Sequence, residues 1–145
     1  QFQRTDFVSC YHGNIIGSAK ETDRLQESLV EHYKAISEKT HLPIILYNVP
    51  SRTGMNILPE TVVRIHKECK NVVAVKEASG NISQIAHLIS IKPSSLSVLS
   101  GNDDQTLPIM ALGGDGVISV FSNPYFFSAS MTDAFLAASL SGLSV

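Results

Sequence analysis

Tryptophan is absent from the 145 residues, aromatics make up only 7%, and cysteine occurs twice. Cys10 and Cys69 follow no spacing pattern, which argues against a disulfide framework and fits a reducing compartment. No apolar run approaches the roughly 18 to 20 residues needed to cross a bilayer. Gln1-Phe2-Gln3-Arg4 has no apolar signal core, so a cytoplasmic location with no membrane partner is expected. Charge is sparse and nearly balanced, at 17% of residues and a net −2. Without a basic stripe, nucleic acid is not an expected partner. His12, His32, His41, His66 and His87 are scattered with no pair at ligand spacing, so no metal site is expected. The chain opens on glutamine rather than methionine, which is expected of a processed or partial chain.

What is present is an apolar fraction of 43%, enough for one modest domain with a core. Leu25, Leu29, Tyr33 and Ile36 form one stripe of a helix over Thr22–Lys39, with Ser18 and Glu21 as a capping box ahead of it. Ile44–Val49 reads as a strand and Pro50–Asn56 as a loop. Pro59 opens a helix whose inner side would be Val62, Val63, His66 and Cys69. Val72–Lys76 is a second strand, with Val72, Ala74 and Lys76 on one face. A turn at Ser79-Gly80-Asn81 leads into a helix carrying Ile82, Ile85, Ala86 and Ile89. Leu96–Ser100 is a third strand. Asn102-Asp103-Asp104 would cap a helix over Thr106–Leu112, and Gly113-Gly114-Asp115-Gly116 would turn it into a fourth strand, Gly116–Val120. A last helix is expected over Tyr125–Leu140.

Strands alternating with helices imply a parallel sheet with right-handed crossovers. The strands are continuous apolar runs, as suits burial on both faces. No G-x-G-x-x-G follows a strand, which disfavours the dinucleotide-binding open sheet. A (β/α)₈ barrel remains, but it needs about 250 residues and eight strands, and the pattern alone leaves both architectures open.

Each strand ends in residues that a core would not select: Tyr47-Asn48, Lys76-Glu77, Ser100-Gly101-Asn102 and Ser119. In barrels and open α/β sheets the C-terminal strand ends carry the site. Lys76 has the most chemical content. An amine on a buried strand face is costly unless paired or neutralised, and a neutral lysine attacks carbonyls to form a Schiff base. A salt-bridged edge lysine is the ordinary alternative. Likewise, Tyr47 read alone is a half-buried core tyrosine, and Arg52 a solvated loop charge.

Four stretches then follow one another in order: Tyr47-Asn48-Val49-Pro50-Ser51-Arg52-Thr53-Gly54, Val75-Lys76-Glu77-Ala78-Ser79-Gly80-Asn81, Leu99-Ser100-Gly101-Asn102-Asp103, and Gly113-Gly114-Asp115-Gly116-Val117-Ile118-Ser119-Val120. Together they resemble the dihydrodipicolinate synthase and N-acetylneuraminate lyase family of pyruvate-dependent class I aldolases. The likeness runs from about Gln26 to about Asn123, and Ser51-Arg52-Thr53-Gly54 looks more like the synthase branch.

The resemblance implies a (β/α)₈ TIM barrel, with residues 1–145 as a partial barrel covering strands five to eight. It implies that Lys76 forms an imine with pyruvate, with no separate cofactor, and that Tyr47 relays protons. By the same likeness Arg52 holds the carboxylate of aspartate semialdehyde, and Ile118 offers its backbone beside pyruvate. The activity implied is condensation of pyruvate with aspartate semialdehyde, in lysine and diaminopimelate biosynthesis, by a homo-oligomer when intact. A neuraminate-lyase-like aldolase and a non-catalytic half-barrel docked on a partner chain are the alternatives. The departures lie at the ends. Residues 1–25 are an atypical N-terminal segment, matching neither the family's Gly-Thr-Thr-Gly-Glu loop nor its Thr-Pro-Tyr-Tyr stretch. The family's C-terminal helices are missing. Half a barrel leaves two sheet edges and an open core, so self-association is expected.

Overall fold

The computed structural model describes residues 19–120. The expected helix at Tyr125–Leu140, the capping box at Ser18 and most of the 1–25 segment lie outside these. Helix α1 spans Ala19–Ser37, so it begins earlier than its apolar stripe indicates. Strand β1 is Ile44–Asn48, followed by a short helix α2, Pro50–Thr53, and by α3, Pro59–Glu68. Strand β2 is Val72–Glu77, α4 is Ile82–Ile91 and β3 is Ser97–Ser100. A 3₁₀ turn at Asp103–Gln105 leads into α5, Thr106–Ala111, and then β4, Gly116–Val117.

The four strands are parallel and lie in the order β1-β2-β3-β4. Sequential order with no reversal is the winding of a barrel wall; a doubly wound sheet reverses at a switch point. Burial agrees. Ile44, Leu46 and Asn48 of β1 are buried while Ile45 and Tyr47 are half-buried. In β3, Val98 and Ser100 are buried and Ser97 and Leu99 half-buried. One face lies under the helices and the other stays open among the described residues. Among the described residues burial of β1, β2 and β3 is complete on the helix-covered face, and on the other Ala74 is buried while Ile45, Tyr47, Lys76, Ser97 and Leu99 are half-buried.

A β-bulge corrects the expected facing of β2. Ile44 pairs with Val72 but Ile45 pairs with Ala74, so Val73 is the extra residue and is exposed. The bulge puts Val72 on the helix-covered face beside Ile44, opposite Lys76, because one inserted residue reverses the alternation.

The core lies between the covered face and the helices: Leu29, Val30 and Tyr33 of α1, Val62 and Ile65 of α3, Ile85 and Leu88 of α4, and Ile109 of α5. Each such side chain contributes about 1.5–3 kcal/mol relative to exposure. Ile65, outside the expected inner set of α3, is fully buried; His66 is half-buried, bonded to the Val72 carbonyl at 2.6 Å and the Ser95 hydroxyl at 2.8 Å. At the N-terminal rim Asp115 accepts from the Val98 N–H at 2.8 Å and pairs with Lys92 at 3.1 Å. The Gly113–Gly116 turn thus serves stability, as its place before a strand implies.

Candidate active site

Because the strands are parallel, all four C-terminal ends open on one rim. β1 and β2 are adjacent there, with Tyr47 in register with Lys76 and Asn48 with Glu77. Alternation sends these two rungs to opposite faces. The Tyr47–Lys76 rung faces the open side, and the Lys76 ammonium lies 4.4 Å from the Tyr47 ring centroid, within cation–π range. The expected buried amine is half-buried instead, since the open face has no cover among the described residues.

Gly101, at the end of β3, shapes the lane for the lysine stem. A Cβ there would stand 2.9 Å from Lys76 Cε, 3.0 Å from Ala78 Cβ and 3.0 Å from the Glu77 carbonyl. Its N–H donates to that carbonyl at 2.7 Å. Only glycine fits without displacing the strand end or the lysine.

The second rung, Asn48–Glu77, is buried behind the sheet, with Asn48 1% exposed and Glu77 fully enclosed. Asn48 Nδ2 donates to Glu77 Oε1 at 3.0 Å, and the Ser79 hydroxyl donates to Oε2 at 2.8 Å. Burial pushes the Glu77 carboxyl above its ordinary range, while the Asn48 and Ser79 bonds pull it back in part. Asn48 Oδ1 accepts from the Ile57 N–H at 3.0 Å, so the same amide pins the far end of the β1–α3 connection.

That connection carries Arg52. The expected loop contains a helical turn, because Pro50 suits its first position and Gly54, at φ 64°, closes it in the left-handed conformation. The Thr53 hydroxyl donates to Val49 and Met55 carbonyls and accepts from the Met55 N–H. Arg52 is exposed on this turn, on the same rim. Ile118 follows β4 and is half-buried; its N–H donates to the Ser100 carbonyl at 2.8 Å. The structure thus brings Lys76 and Tyr47 together on adjacent strands, and sets Arg52 after β1 and Ile118 after β4, at the two ends of the described sheet. Asp103 and Asp104 do not cap α5: both lie in the 3₁₀ turn before it, where the Asp103 carboxylate accepts from the Val120 N–H at 3.3 Å. No cluster of metal-ligating side chains occurs among the described residues. Sequence reasoning assigned no role to Asn48, Glu77 or Gly101. The signal available was polar residues and a glycine at strand ends.

A family model described as the dihydrodipicolinate synthetase family matches residues 23–140, further at both ends than the four motifs reach. The chain belongs to this family. It is 55% identical over 98 residues to the 4-hydroxy-tetrahydrodipicolinate synthase of Clostridium tetani, covering 68% of this chain and 33% of that one. The Thermotoga neapolitana enzyme of the same name is 56% identical over 101 residues, covering 68% and 34%. The chain therefore spans about a third of the length of the curated relatives it matches. Among solved structures, the dihydrodipicolinate synthase of Acinetobacter baumannii, complexed with pyruvate, superposes at a TM-score of 0.71 with 36% identity, over 91% of this chain and 42% of that one. The Thermotoga maritima synthase superposes at 0.69 with 42% identity, over 88% and 45%. The fold is thus that of a TIM-barrel family, seen here as a parallel α/β sheet. No helix of the described residues is long and apolar enough to cross a membrane.

Proposed function

We propose that the chain carries the Schiff-base portion of a 4-hydroxy-tetrahydrodipicolinate synthase, which condenses pyruvate with aspartate semialdehyde in lysine and diaminopimelate biosynthesis. In this reading its four strands are strands five to eight of the eight-stranded barrel, and residues 1–25 are an atypical lead-in. The carrying observation is the Lys76–Tyr47 rung, with the amine 4.4 Å from the ring at the C-terminal ends of adjacent strands.

The chemistry follows from the groups. The Lys76 amine adds to the pyruvate ketone, and loss of water leaves an imine. The imine nitrogen draws electrons from the neighbouring methyl, which loses a proton to give an enamine. The enamine carbon attacks the aldehyde of the second substrate, whose oxygen takes up a proton. The amino group of that substrate then displaces Lys76 from the regenerated imine, which closes the ring and frees the amine. Tyr47, beside the nitrogen, carries protons to and from these intermediates. Arg52 meets the carboxylate of aspartate semialdehyde, because a planar guanidinium grips a carboxylate through two parallel bonds. The Ile118 carbonyl lines the pyruvate end. The electron sink is the imine formed on Lys76 itself, so the reaction calls for no separate cofactor. The intact enzyme is read as a cytoplasmic homo-oligomer.

Borohydride trapping tests this. Protein incubated with pyruvate and borohydride is digested and the adduct located by peptide mass spectrometry. A reduced pyruvyl adduct on Lys76, lost in Lys76→Ala, is the expected result. Folded protein with no adduct would falsify the catalytic reading.

A further inference from the structure

We propose that Glu77 is a positioning residue: its side chain, buried behind the sheet, ties Asn48 of β1 to Ser79 beyond β2 and so holds Tyr47 and Lys76 together on the opposite face. What the rung does rests on the aldolase reading; how it is held rests on geometry alone.

Tyr47 and Asn48 are consecutive, as are Lys76 and Glu77, and the two pairs are in register across β1 and β2. A shift in one rung therefore moves the other. The buried rung is fixed at three points: Asn48 Nδ2 to Glu77 Oε1 at 3.0 Å, Ser79 Oγ to Glu77 Oε2 at 2.8 Å, and the Ala78 N–H to the Asn48 carbonyl at 2.9 Å. From Asn48 the network runs outward. Its Nδ2 also donates to Asn56 Oδ1 at 3.0 Å, and Asn56 and Gln84 join in a reciprocal amide pair at 2.6 and 3.0 Å. Gln26 of α1 donates to the Asn56 carbonyl at 2.9 Å and accepts from the Leu58 N–H at 3.0 Å. The turn bearing Arg52 is thereby anchored to the same amide that fixes the rung.

A purely packing role would not select this residue. The side-chain neighbours that bond Glu77 are an amide and a hydroxyl, and neither is a cation. A buried carboxylate without a cationic partner costs stability, which an apolar residue of similar volume would avoid. A polar network that is fully satisfied instead fixes one geometry, because every member has a single best position.

The test compares Glu77→Gln and Glu77→Leu in the full chain. Glutamine keeps an oxygen for Asn48 and an N–H for the Ser79 hydroxyl; leucine keeps neither. The first readout needs no substrate. With the Lys76 nitrogen 4.4 Å from the Tyr47 ring centroid, the ring current is expected to shift the Lys76 ε-methylene protons upfield in the NMR spectrum. Leucine is expected to abolish that shift and glutamine to retain it. The second readout is borohydride trapping against pyruvate concentration. Leucine is expected to lower the saturating rate about tenfold or more, with the half-saturating pyruvate concentration changed less than about threefold and glutamine near wild type, because misplacing a reacting group by about 1 Å slows chemistry by up to about a hundredfold. A merely structural role would reduce the folded fraction without altering the rate in what remains folded. A folded Glu77→Leu protein with the wild-type shift and rate overturns the proposal. If leucine prevents folding, Ser79→Ala, which removes one donor, should still weaken the shift, and an unchanged shift overturns it equally. Wild-type protein that traps no pyruvate would sink the aldolase reading, while the proton shift would still decide the positioning claim.

Discussion

Gly101→Ala is the sharpest probe of the rung. The added methyl would stand 2.9 Å from Lys76 Cε and 3.0 Å from both Ala78 Cβ and the Glu77 carbonyl. Ordinary carbon contacts begin near 3.5 Å, so three neighbours are each about half an ångström too close. The lysine stem is flexible and yields first; the carbonyl and Ala78 yield only if the strand end moves. Overpacking of this size costs about 1–3 kcal/mol, or about 4 °C of melting temperature per kcal/mol for a chain of this length. Displacing the amine by a fraction of an ångström to 1 Å lowers trapping about tenfold to a hundredfold. Gly80→Ala is the control. Its φ of +77° makes alanine strained, but nothing lies within 4 Å of the new methyl. It costs about 1–2 kcal/mol through the backbone alone, so its melting temperature should fall comparably while trapping stays at the wild-type rate. Thermal melts by circular dichroism and trapping at saturating pyruvate measure both. Wild-type trapping in Gly101→Ala, or an equal loss in Gly80→Ala, would refute the reasoning.

Other outcomes follow from burial, charge and edges. Glu77 has its carboxyl raised above the ordinary 4.5, so its contribution to stability is complete below that pH and is lost as pH rises through the folded value. Glu77→Gln removes this loss, and its melting temperature relative to wild type should rise from acid toward neutral pH; a difference independent of pH contradicts it. Ile65→Ala, at a fully buried site, is expected to cost about 2–5 kcal/mol in denaturant melts. Val73→Ala, in the exposed bulge, should stay within about 0.5 kcal/mol. Among the described residues β1 and β4 each have one strand neighbour and Leu107, Val117 and Val120 are exposed; sedimentation of the 145-residue chain should show self-association, and a monodisperse, cooperatively melting monomer would refute that.

The sequence by itself determined the alternation of strand and helix, because continuous apolar runs bounded by proline, glycine and polar turns leave few other readings. It also determined the place of the chemistry, since Tyr47 and Lys76 each end a strand and parallel strands end on one rim. Four motifs in order determined the family. Tertiary structure decided the rest. The bulge at Val73 reversed the facing of Val72, which no alternation rule reveals because one inserted residue leaves the apolar pattern intact. The helical turn at Pro50–Thr53 is too short to show a period of its own. Asp103 and Asp104 have cap chemistry, yet the chain enters α5 through a 3₁₀ turn. Asn48, Glu77 and Gly101 gained their meaning only when β1, β2 and β3 were set side by side. A buried hydrogen bond and a missing methyl are relations between strands dozens of residues apart, and local sequence carries no record of which residue stands in the next strand.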